Sequence, residues 1–357
     1  MSQRLDAQLA FLTEACRLKQ VDRHTRLHDQ SRPENFAEHI WHVALYGLIM
    51  LPRGADPGLT DRAIAMILLH DLAEIEAVDP SVHENRDADN GIGTEPAASD
   101  RIFGFLPSDQ AQRLHALRDE FEAGDSEAAR LAGQMDQVQT IFQAASPKTG
   151  HGEQFAIMQD TAGLSASDLS GRIAFLNEAD ALKSVYRATR IAGGNRFENS
   201  AEHSWHLALY ALVLAEHAEK GVDIARVIRM LLIHDLVEID AGDAPIFGSH
   251  DVATKEAEEL AAARRIFGLL PQDQAEELLA LWLEFETNET ADARFAKALD
   301  RFQPPNQNLA SGGGSWIDYD VDFEMISTRV GAKIANGAPV LWDWIAPKIK
   351  DFLDQTR

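Results

Sequence analysis

The chain of 357 residues is strongly acidic, with 57 Asp and Glu against 33 Lys and Arg and a formal net charge of −24. This charge argues against a nucleic-acid polymer as the partner, because proteins that bind one need a basic surface, but a few local arginines or a metal could still hold a small phosphorylated substrate. The single Cys16 excludes an intrachain disulfide and fits a reducing compartment.

The first predicted element is an amphipathic helix, "MSQRLDAQLAFLTEACRLKQ", which lacks the pattern of a secretory signal peptide. No apolar run approaches the roughly 20 residues that span a bilayer. We therefore expect a cytoplasmic protein without a membrane partner.

The sequence that follows occurs twice. "LKQVDRHTRLHDQSRPENFAEHIWHVALYGL" begins at Leu18 and "LKSVYRATRIAGGNRFENSAEHSWHLALYAL" begins at Leu182, an offset of 182 − 18 = 164 residues. The same offset relates "RIFGFLPSDQ", from Arg101, to "RIFGLLPQDQ", from Arg265. A period this long indicates two whole domains rather than stacked repeats. We predict domains over residues 1–160 and 172–357, joined within the Gly-, Ser- and Asp-rich stretch 144–168.

Helical periodicity dominates both copies, and the predicted fold class is all-α. In "AEHSWHLALYALVLAEHAEKG" the side chains at i, i+3, i+4 and i+7 from His203 share one face, and Gly221 ends the run. "DIARVIRMLLIHDLVEIDAG" continues to Gly242, and "TKEAEELAAARRIFG" and "PQDQAEELLALWLEFE" are further helices. "PPNQNLASGGGSW" (304–316) is predicted to be irregular and has no matching copy in the first half.

Each copy carries the residue types of a metal site. His and Asp inside apolar runs such as "MLLIHDLVEI" are costly to bury unpaired, and a divalent ion bound by imidazole and carboxylate groups from separate elements would offset that cost. A lone core His is more often structural, but the repetition in register favours a metal. The candidate ligands are His39, His70, Asp71 and Asp136 in the first copy and His203, His234, Asp235 and Asp300 in the second. Glu74 and Glu238 follow the second His of each set at i+4, where they could hold or deprotonate a metal-bound water.

The ordered set "AEH … HDLVEI.AGD … LD" resembles the HD superfamily of metal-dependent phosphohydrolases. More narrowly, "LKSVYR", "R.ENSAEH" and "HDLVEIDAGDAP" resemble the bacterial 5'-deoxynucleotidases. The resemblance implies a divalent metal cofactor (Mn, Co, Fe, Zn, Ni or Mg) bound by the two sets of ligands. The implied water-activating or proton-handling residues are Glu238 and Asp243, with Glu74 and Asp79 in the first copy, and the implied phosphate contacts are Arg187 and Arg23.

The two copies differ at positions that the resemblance makes important. "AGDAP" (241–245) in the second copy corresponds to "AVDPS" (77–81) in the first, so that Val78 stands in place of Gly242. A glycine before the acidic residue lets the chain turn sharply. "TKEAEELAAA" is answered by "GIGTEPAASD", which has lost acidic helical character. We therefore expect an active second copy and a degenerate first copy. Where the deoxynucleotidases have an aromatic residue after the arginine, this chain has His24 and Ala188, so selectivity for deoxy sugars stays open.

The leading functional hypothesis is the release of phosphate from nucleoside (deoxy) 5'-monophosphates. An alternative is a di-iron oxygenase on the same fold, with His42 and His206 as extra ligands; packing against Trp41 and Trp205, or support of the first ligand, is favoured for them. A third hypothesis has one catalytic and one regulatory nucleotide-binding domain. Because related single-domain proteins pair up, the two copies could form an internal pseudo-dimer, or the chain a homo-oligomer.

Overall fold

The computed structural model describes residues 2–51, 57–78, 95–144, 166–193, 196–248 and 251–356. It divides into two compact units, Met1–Asp180 and Ala181–Arg357. Asp79 and most of the predicted joining stretch 144–168 lie outside the described residues. The domain limits placed between residues 160 and 172 therefore stay a prediction.

The first unit is a helical domain with one short hairpin. Its elements are α1 (Ser2–Ala15), a 3₁₀ turn (Cys16–Gln20), β1 (Asp22–Arg26), β2 (Pro33–Asn35), α2 (Phe36–Met50), α3 (Pro57–Ile67), a 3₁₀ segment (Leu72–Val78), α4 (Glu95–Phe103), α5 (Ser108–Ala123), α6 (Glu127–Ala144) and α7 (Ala166–Ala179). The strands β1 and β2 are antiparallel, and Asp22 pairs with Asn35. α2 packs against α3, α6 and α7.

The second unit repeats this order from the 3₁₀ turn after α1 onward and adds helices at its end; the helix 164 residues after α1 is α7, which belongs to the first unit. Its elements follow a 3₁₀ turn (Asp180–Ser184) and are β3 (Tyr186–Arg190), β4 (Phe197–Asn199), α8 (Ser200–Val213), a 3₁₀ turn (Ala215–His217), α9 (Ile224–Ile233), α10 (Glu238–Ala241), α11 (Val252–Phe267), α12 (Gln272–Thr287), α13 (Ala291–Ala310), α14 (Ser315–Asp318), α15 (Phe323–Ile326), a π-helical turn (Ser327–Gly331), α16 (Ala332–Gly337) and α17 (Pro339–Thr356). The hairpin strands of the two units lie 164 residues apart, and β3 and β4 are again antiparallel. The predicted all-α class with two tandem copies is confirmed. The hairpins escaped prediction because strands of three and five residues are too short to show alternation. No described helix is both long and apolar enough to cross a membrane.

The central helix of each unit starts at a defined residue because it has a capping box. The Asn35 side chain accepts from the backbone N–H of Glu38, whose carboxylate accepts from the backbone N–H of Asn35. Asn199 and Glu202 form the same pair at the start of α8. At the start of each helix, two backbone N–H groups that have no partner within the helix are hydrogen-bonded in this way. In both units the helix therefore starts at the residue directly after the second strand of the hairpin.

The central helices are buried on every side. Trp41 on α2 and Trp205 on α8 have no exposed surface and are core residues, as predicted. α8 packs against α9 and α13. A helix enclosed in this way needs apolar residues all round.

Two predicted elements differ from the structure. The helix predicted to run to Gly242 ends at Ile233, and His234 and Asp235 lie in the turn before α10. Only the predicted end at Gly242 is confirmed, because the separate helix α10 ends at Ala241. The stretch 304–316, predicted to be irregular, begins inside α13, which continues to Ala310 although it contains two prolines. Each proline removes a helical N–H donor, but the packing of α13 against α16 and α17 outweighs that local preference.

Candidate metal centre and active site

His203 and His234 of the second unit each have Nδ1 next to a hydrogen-bond acceptor and Nε2 next to a carboxylate. His234 Nδ1 lies 2.9 Å from the carbonyl oxygen of Leu231, which can only accept, so Nδ1 carries the proton. His203 Nδ1 lies 3.2 Å from Gln303 Oε1. Both rings are buried. Backbone and side-chain acceptors on Nδ1 are the usual means of orienting a metal-binding imidazole with its Nε2 toward the ion.

Two carboxylates meet these Nε2 atoms. Asp235 Oδ1 lies 3.0 Å from His234 Nε2, and Asp300 Oδ1 lies 3.2 Å from His203 Nε2 and 3.9 Å from His234 Nε2. Burial opposes the ionisation of Asp300, but the charge of Arg301 and the hydrogen bond with His203 hold its pKa well below the usual range. The structure thus brings together the four residues predicted as ligands in the second copy.

The donor set fits a divalent ion. The buried Nε2 atoms of His39, His70 and His234 meet carboxylate oxygens at 2.9, 3.2 and 3.0 Å, and each of these contacts needs a cation or a proton between the two atoms. Ligand-type atoms of His203, His234 and Asp235 lie within 4.8 Å of one another. Neutral imidazole and carboxylate donors converging from separate elements suit ions such as Zn, Fe, Co, Ni or Mn.

The first unit has the same arrangement. His39 Nδ1 lies 2.8 Å from Gln139 Oε1, and His70 Nδ1 lies 2.7 Å from the carbonyl oxygen three residues earlier. Asp136 Oδ1 lies 2.9 Å from His39 Nε2, and Asp71 Oδ2 lies 3.2 Å from His70 Nε2. The four predicted ligands of the first copy are therefore also together.

The two units differ in the charge around the second histidine. Burial alone would lower the pKa of His70, but the Asp71 and Asp136 carboxylates raise it to about 9. Burial lowers the pKa of His234, and the opposing attraction of Asp235 and Asp300 does not restore it. The neighbouring arginine explains part of the difference, because it lies 2.6 Å from Asp235 in the second unit but 3.5 Å from Asp71 in the first.

Arg187 on β3 joins the acidic residues predicted to handle protons. Its Nη1 lies 2.6 Å from Asp235 Oδ2, 3.8 Å from Glu238 Oε1 and 3.9 Å from Asp243 Oδ1. Glu238 also accepts a hydrogen bond from the Ser200 hydroxyl. Burial and the negative charge of Asp235 raise the pKa of Glu238 well above its usual value, against the opposing charge of Arg187. Glu238 can therefore carry a proton at a pH where an exposed glutamate has lost it.

Arg23 on β1 is placed like Arg187 but is held differently. It donates to Thr140 Oγ1 at 3.2 Å, its guanidinium lies 5.2 Å from the centre of the Phe36 ring, and its Nη1 is 3.5 Å from Asp71 Oδ2. Glu74 is half-buried on the 3₁₀ segment after Asp71. Asp79 lies outside the described residues.

Ser200 is a site residue that the sequence motifs did not indicate. At the offset of 164 it corresponds to Phe36, which has no hydroxyl to offer Glu74. The available signal was this difference between the two copies, at the first position of α2 and α8.

Lys255 on α11 is a second residue that the motifs did not indicate. Its Nζ donates to the carbonyl oxygens of Ala241 and Gly242 at 2.6 and 2.7 Å. Gly242 has φ +71° and ψ 160°, and the next residue is Asp243. Lys255 therefore fixes the turn that presents Asp243 to Arg187.

A cavity in the second unit opens onto the ligand cluster. The predicted residues Arg187, Asp235, Glu238 and Asp243 line it together with two further cations and a wall from the C-terminal part of the chain. The cations are Lys297 and Arg301, and the wall includes Pro304, Pro305, Trp316 and Tyr319. The stretch predicted to be irregular thus forms one side of the pocket.

His206 packs beside the ligand cluster. It stacks on Trp205 with ring centres 5.5 Å apart and meets Tyr210 edge-on. Its Nδ1 lies 3.3 Å from Gln303 Nε2, the amide whose oxygen faces His203. This geometry favours packing and support of the first ligand over direct binding to the same ion.

His42 belongs to a separate buried cluster with Glu34 and Asp180, whose ligand-type atoms lie within 4.8 Å of one another. Asp180 already accepts from Gln143 Nε2 at 3.0 Å and from the backbone N–H of His28 at 2.9 Å. His42 Nε2 is 3.0 Å from a backbone carbonyl oxygen. We interpret this cluster as a hydrogen-bonded core network.

Comparison with known proteins agrees with this geometry. The model of the HD domain family matches residues 15–173 and 179–342. The chain belongs to the HD domain family. It is 31% identical to human 5'-deoxynucleotidase HDDC2 over 146 residues, which is 39% of this chain and 70% of the human protein. The bovine protein of that name is 35% identical over 105 residues, 29% of this chain and 49% of the relative, so the match spans about half of its length.

One solved structure is also similar. It comes from Magnetospirillum magnetotacticum MS-1 and is described as a "Predicted metal-dependent phosphohydrolase". The TM-score is 0.51 at 45% sequence identity, over 53% of this chain and 97% of that chain. The predicted class, a metal-dependent phosphohydrolase of the HD superfamily with a divalent metal cofactor, is confirmed.

Proposed function

We propose that the second unit is the main active site and releases phosphate from nucleoside 5'-monophosphates, including deoxynucleotides. The observation that carries this proposal is that Arg187, Glu238 and Asp243 line one cavity together with three residues of the ligand cluster, His234, Asp235 and Asp300. The substrate class is supported by the relatives named 5'-deoxynucleotidase.

Four side chains would hold the ion: His203, His234, Asp235 and Asp300. A divalent ion held there supplies a Lewis acid for a phosphoryl oxygen and lowers the pKa of a bound water. The lone pairs of His203 and Asp300, which face each other at 3.2 Å, need a cation or a shared proton between them. The cluster is therefore built around positive charge.

Arg187 would bind the phosphate, because its planar guanidinium matches phosphate oxygens with two parallel hydrogen bonds. Hydrolysis breaks the bond between phosphorus and the 5'-oxygen, and the leaving alkoxide takes up a proton. Glu238 can hold that proton because burial and Asp235 raise its pKa. Asp243, 3.9 Å from Arg187, keeps the guanidinium in place and can accept the proton of the attacking water.

The first unit is proposed to bind an ion and to contribute little turnover. Its ligand geometry matches that of the second unit, but Phe36 replaces the serine that holds Glu238. A regulatory first unit that binds a nucleotide is the alternative within this proposal.

The remaining proposals concern the setting of the protein. The net charge of −24 and the single cysteine support a cytoplasmic protein whose partner is a small phosphorylated molecule, with neither a nucleic-acid polymer nor a membrane. The domain limits 1–160 and 172–357, and an internal pseudo-dimer or a homo-oligomer, also remain proposals.

Two matched double variants test the assignment of the active unit. One combines His234→Ala with Asp235→Ala, and the other combines His70→Ala with Asp71→Ala. Phosphate release from ribo- and deoxynucleoside monophosphates is measured together with metal content. We expect the first variant to lose nearly all turnover and the second to keep most of it.

The outcomes separate the hypotheses. Equal losses would refute the asymmetry, and loss only in the His70 and Asp71 variant would reverse it. A metal-loaded wild-type protein that releases no phosphate from any nucleoside monophosphate would refute the substrate class. Two irons per unit with oxygen consumption would favour the oxygenase instead.

A further inference from the structure

The cavity of the second unit carries two cations for which the first copy has no equivalent. Lys297 and Arg301 lie on α13 on either side of Asp300, and both line the cavity. At the offset of 164 the first copy has Gly133 and Gln137 in their places. The difference adds positive charge only where the proposed active site lies.

The charge balance of the site explains why another cation is needed. Arg187 faces the carboxylates of Asp235 and Asp243 at 2.6 and 3.9 Å, besides the protonated Glu238 at 3.8 Å, so its own charge is already largely compensated. A phosphate monoester brings a further charge of about −1.5 to −2 at neutral pH. Even with a divalent ion offsetting two ligand carboxylates, an incoming phosphate meets little remaining positive charge from Arg187 alone.

The two additional cations are not equally available. Lys297 Nζ lies 3.2 Å from Glu286 Oε1 and 3.7 Å from the centre of the Phe285 ring, so it is already engaged. Within the described part of the chain, the charged group of Arg301 has one ion pair, at 3.7 Å from Asp300 Oδ2. That separation is too long for a hydrogen bond. The Arg301 side chain is 27% exposed and lines the cavity, so its donors can reach a bound molecule.

Asp300 connects Arg301 to the ligand cluster. Its Oδ1 lies 3.2 Å from His203 Nε2, whereas its Oδ2 faces Arg301. The guanidinium is thus separated from the ligand cluster by one carboxylate. An anion held at the cluster lies within reach of an arginine side chain in that position.

We propose that Arg301 is a second phosphate-binding residue of this site. Arg301 binds the substrate phosphate from the side of α13, and Arg187 binds it from the side of the β3–β4 hairpin. This inference rests on the proposed function of the second unit. Arg301 adds the positive charge that a dianionic phosphate requires and that Arg187 alone does not provide.

The test replaces Arg301 in the full-length, metal-loaded chain. Arg301→Gln introduces the residue of the first copy, and Arg301→Lys keeps the charge but loses the planar guanidinium. Arg294→Gln is the control, because it removes an arginine of the same helix whose side chain is 28% exposed, close to the 27% of Arg301, and which pairs with Glu219. Four quantities are measured: kcat, KM for a nucleoside monophosphate, metal content, and the affinity for inorganic phosphate by calorimetry.

A charge-assisted hydrogen bond is worth about ten- to hundredfold in binding. We expect Arg301→Gln to raise KM and to weaken phosphate binding by this factor at unchanged metal content. Arg301→Lys should lie between this variant and the wild type, and Arg294→Gln should behave as wild type.

Unchanged phosphate affinity in Arg301→Gln would overturn the proposal. So would a loss of metal that fully accounts for the lost affinity, because Arg301 would then act only as the ion-pair partner of Asp300. If the wild-type protein binds phosphate through Arg301 but hydrolyses no nucleotide, the proposed substrate class fails while the phosphate-binding role stands.

Discussion

Replacing Gly242 with valine, the residue at position 78 of the first copy, should reduce turnover by the second unit. Gly242 adopts φ +71° and ψ 160°, a combination that is essentially restricted to glycine. A Cβ added there would meet no heavy atom within 4 Å, so the penalty is conformational rather than a collision. Such a conformation costs a residue with a side chain about 1–3 kcal/mol.

That penalty acts on a turn which Lys255 holds in place. The two hydrogen bonds from Lys255 Nζ, at 2.6 and 2.7 Å, come from a charged donor, and such bonds contribute about 1.5–3 kcal/mol each. Together the two bonds contribute about 3–6 kcal/mol, which equals or exceeds the strain, so we expect the turn to persist but to shift in a way that releases part of the strain. Asp243 would move with it relative to Arg187. A displacement near 1 Å at a reacting group costs on the order of a hundredfold in rate.

The assay is phosphate release from nucleoside monophosphates, with thermal unfolding measured in parallel. Gly221→Val is the matched control, because Gly221 has φ +98°, is exposed, and a Cβ added to it would likewise meet no heavy atom within 4 Å. Both variants should lose similar stability, but only Gly242→Val should lose kcat by about ten- to hundredfold. Wild-type kcat in Gly242→Val, or equal losses in both variants, would refute the role of this turn.

Three further outcomes follow from the same site. Lys255→Met should lower kcat more than it raises KM, because Lys255 Nζ holds the turn at Gly242 and does not face the phosphate. Lys255→Arg should recover part of the lost kcat, and steady-state kinetics of both variants test this. Because the pKa of Glu238 is raised above its usual value of 4.5, kcat should fall as the pH rises through the pKa of Glu238, where this residue loses its proton. The Glu238→Gln variant should not show this fall of kcat in its pH profile. Tyr319→Ala should raise KM for nucleoside monophosphates by about tenfold, but not for glycerol phosphate, if the partly exposed ring stacks on the base; KM for the two substrates is compared.

The ligand residues were predictable from the sequence because each belongs to a local motif repeated in register. His234 and Asp235 are adjacent and follow an apolar run, so their chemistry stood out without knowledge of the fold. The end of α9 at Ile233 was not predictable, because the apolar periodicity continues beyond it. The structure ends the helix where the His234 ring and the Asp235 carboxylate must both reach the cluster.

Residues that act through long-range contacts carry no such local signal. Lys255 reaches back 13 and 14 residues to two backbone carbonyls, and any exposed helix offers similar lysines. The prolines at 304 and 305 predicted a helix break by propensity, but packing on α16 and α17 decided otherwise. Comparison of the two copies supplied the missing signal for Ser200 and Arg301, because both differ from their counterparts at the offset of 164.

The same comparison suggests that metal binding and turnover have separate structural requirements. The buried Nε2 atoms of His39 and His70 lie 2.9 and 3.2 Å from carboxylate oxygens, so each contact needs a cation or a proton between the two atoms whether or not the first unit turns over substrate. A bound ion also stabilises the folded unit, by about 2.7 kcal/mol when it is present at a hundred times its dissociation constant. The ligands of the first copy can thus serve stability, whereas a serine at position 36 or a glycine at position 78 would serve only the reaction.

An ion should therefore still raise the thermal stability of a chain in which the second site has been removed. We expect the variant that combines His234→Ala with Asp235→Ala to show a metal-dependent rise in its unfolding temperature without phosphate release. Adding His70→Ala and Asp71→Ala should abolish that rise, because the remaining ligands lose the imidazole and the carboxylate that lie 3.2 Å apart. If the first variant unfolds at the same temperature with the ion and with a chelator, the first unit does not hold a metal, and its repeated histidines need another explanation.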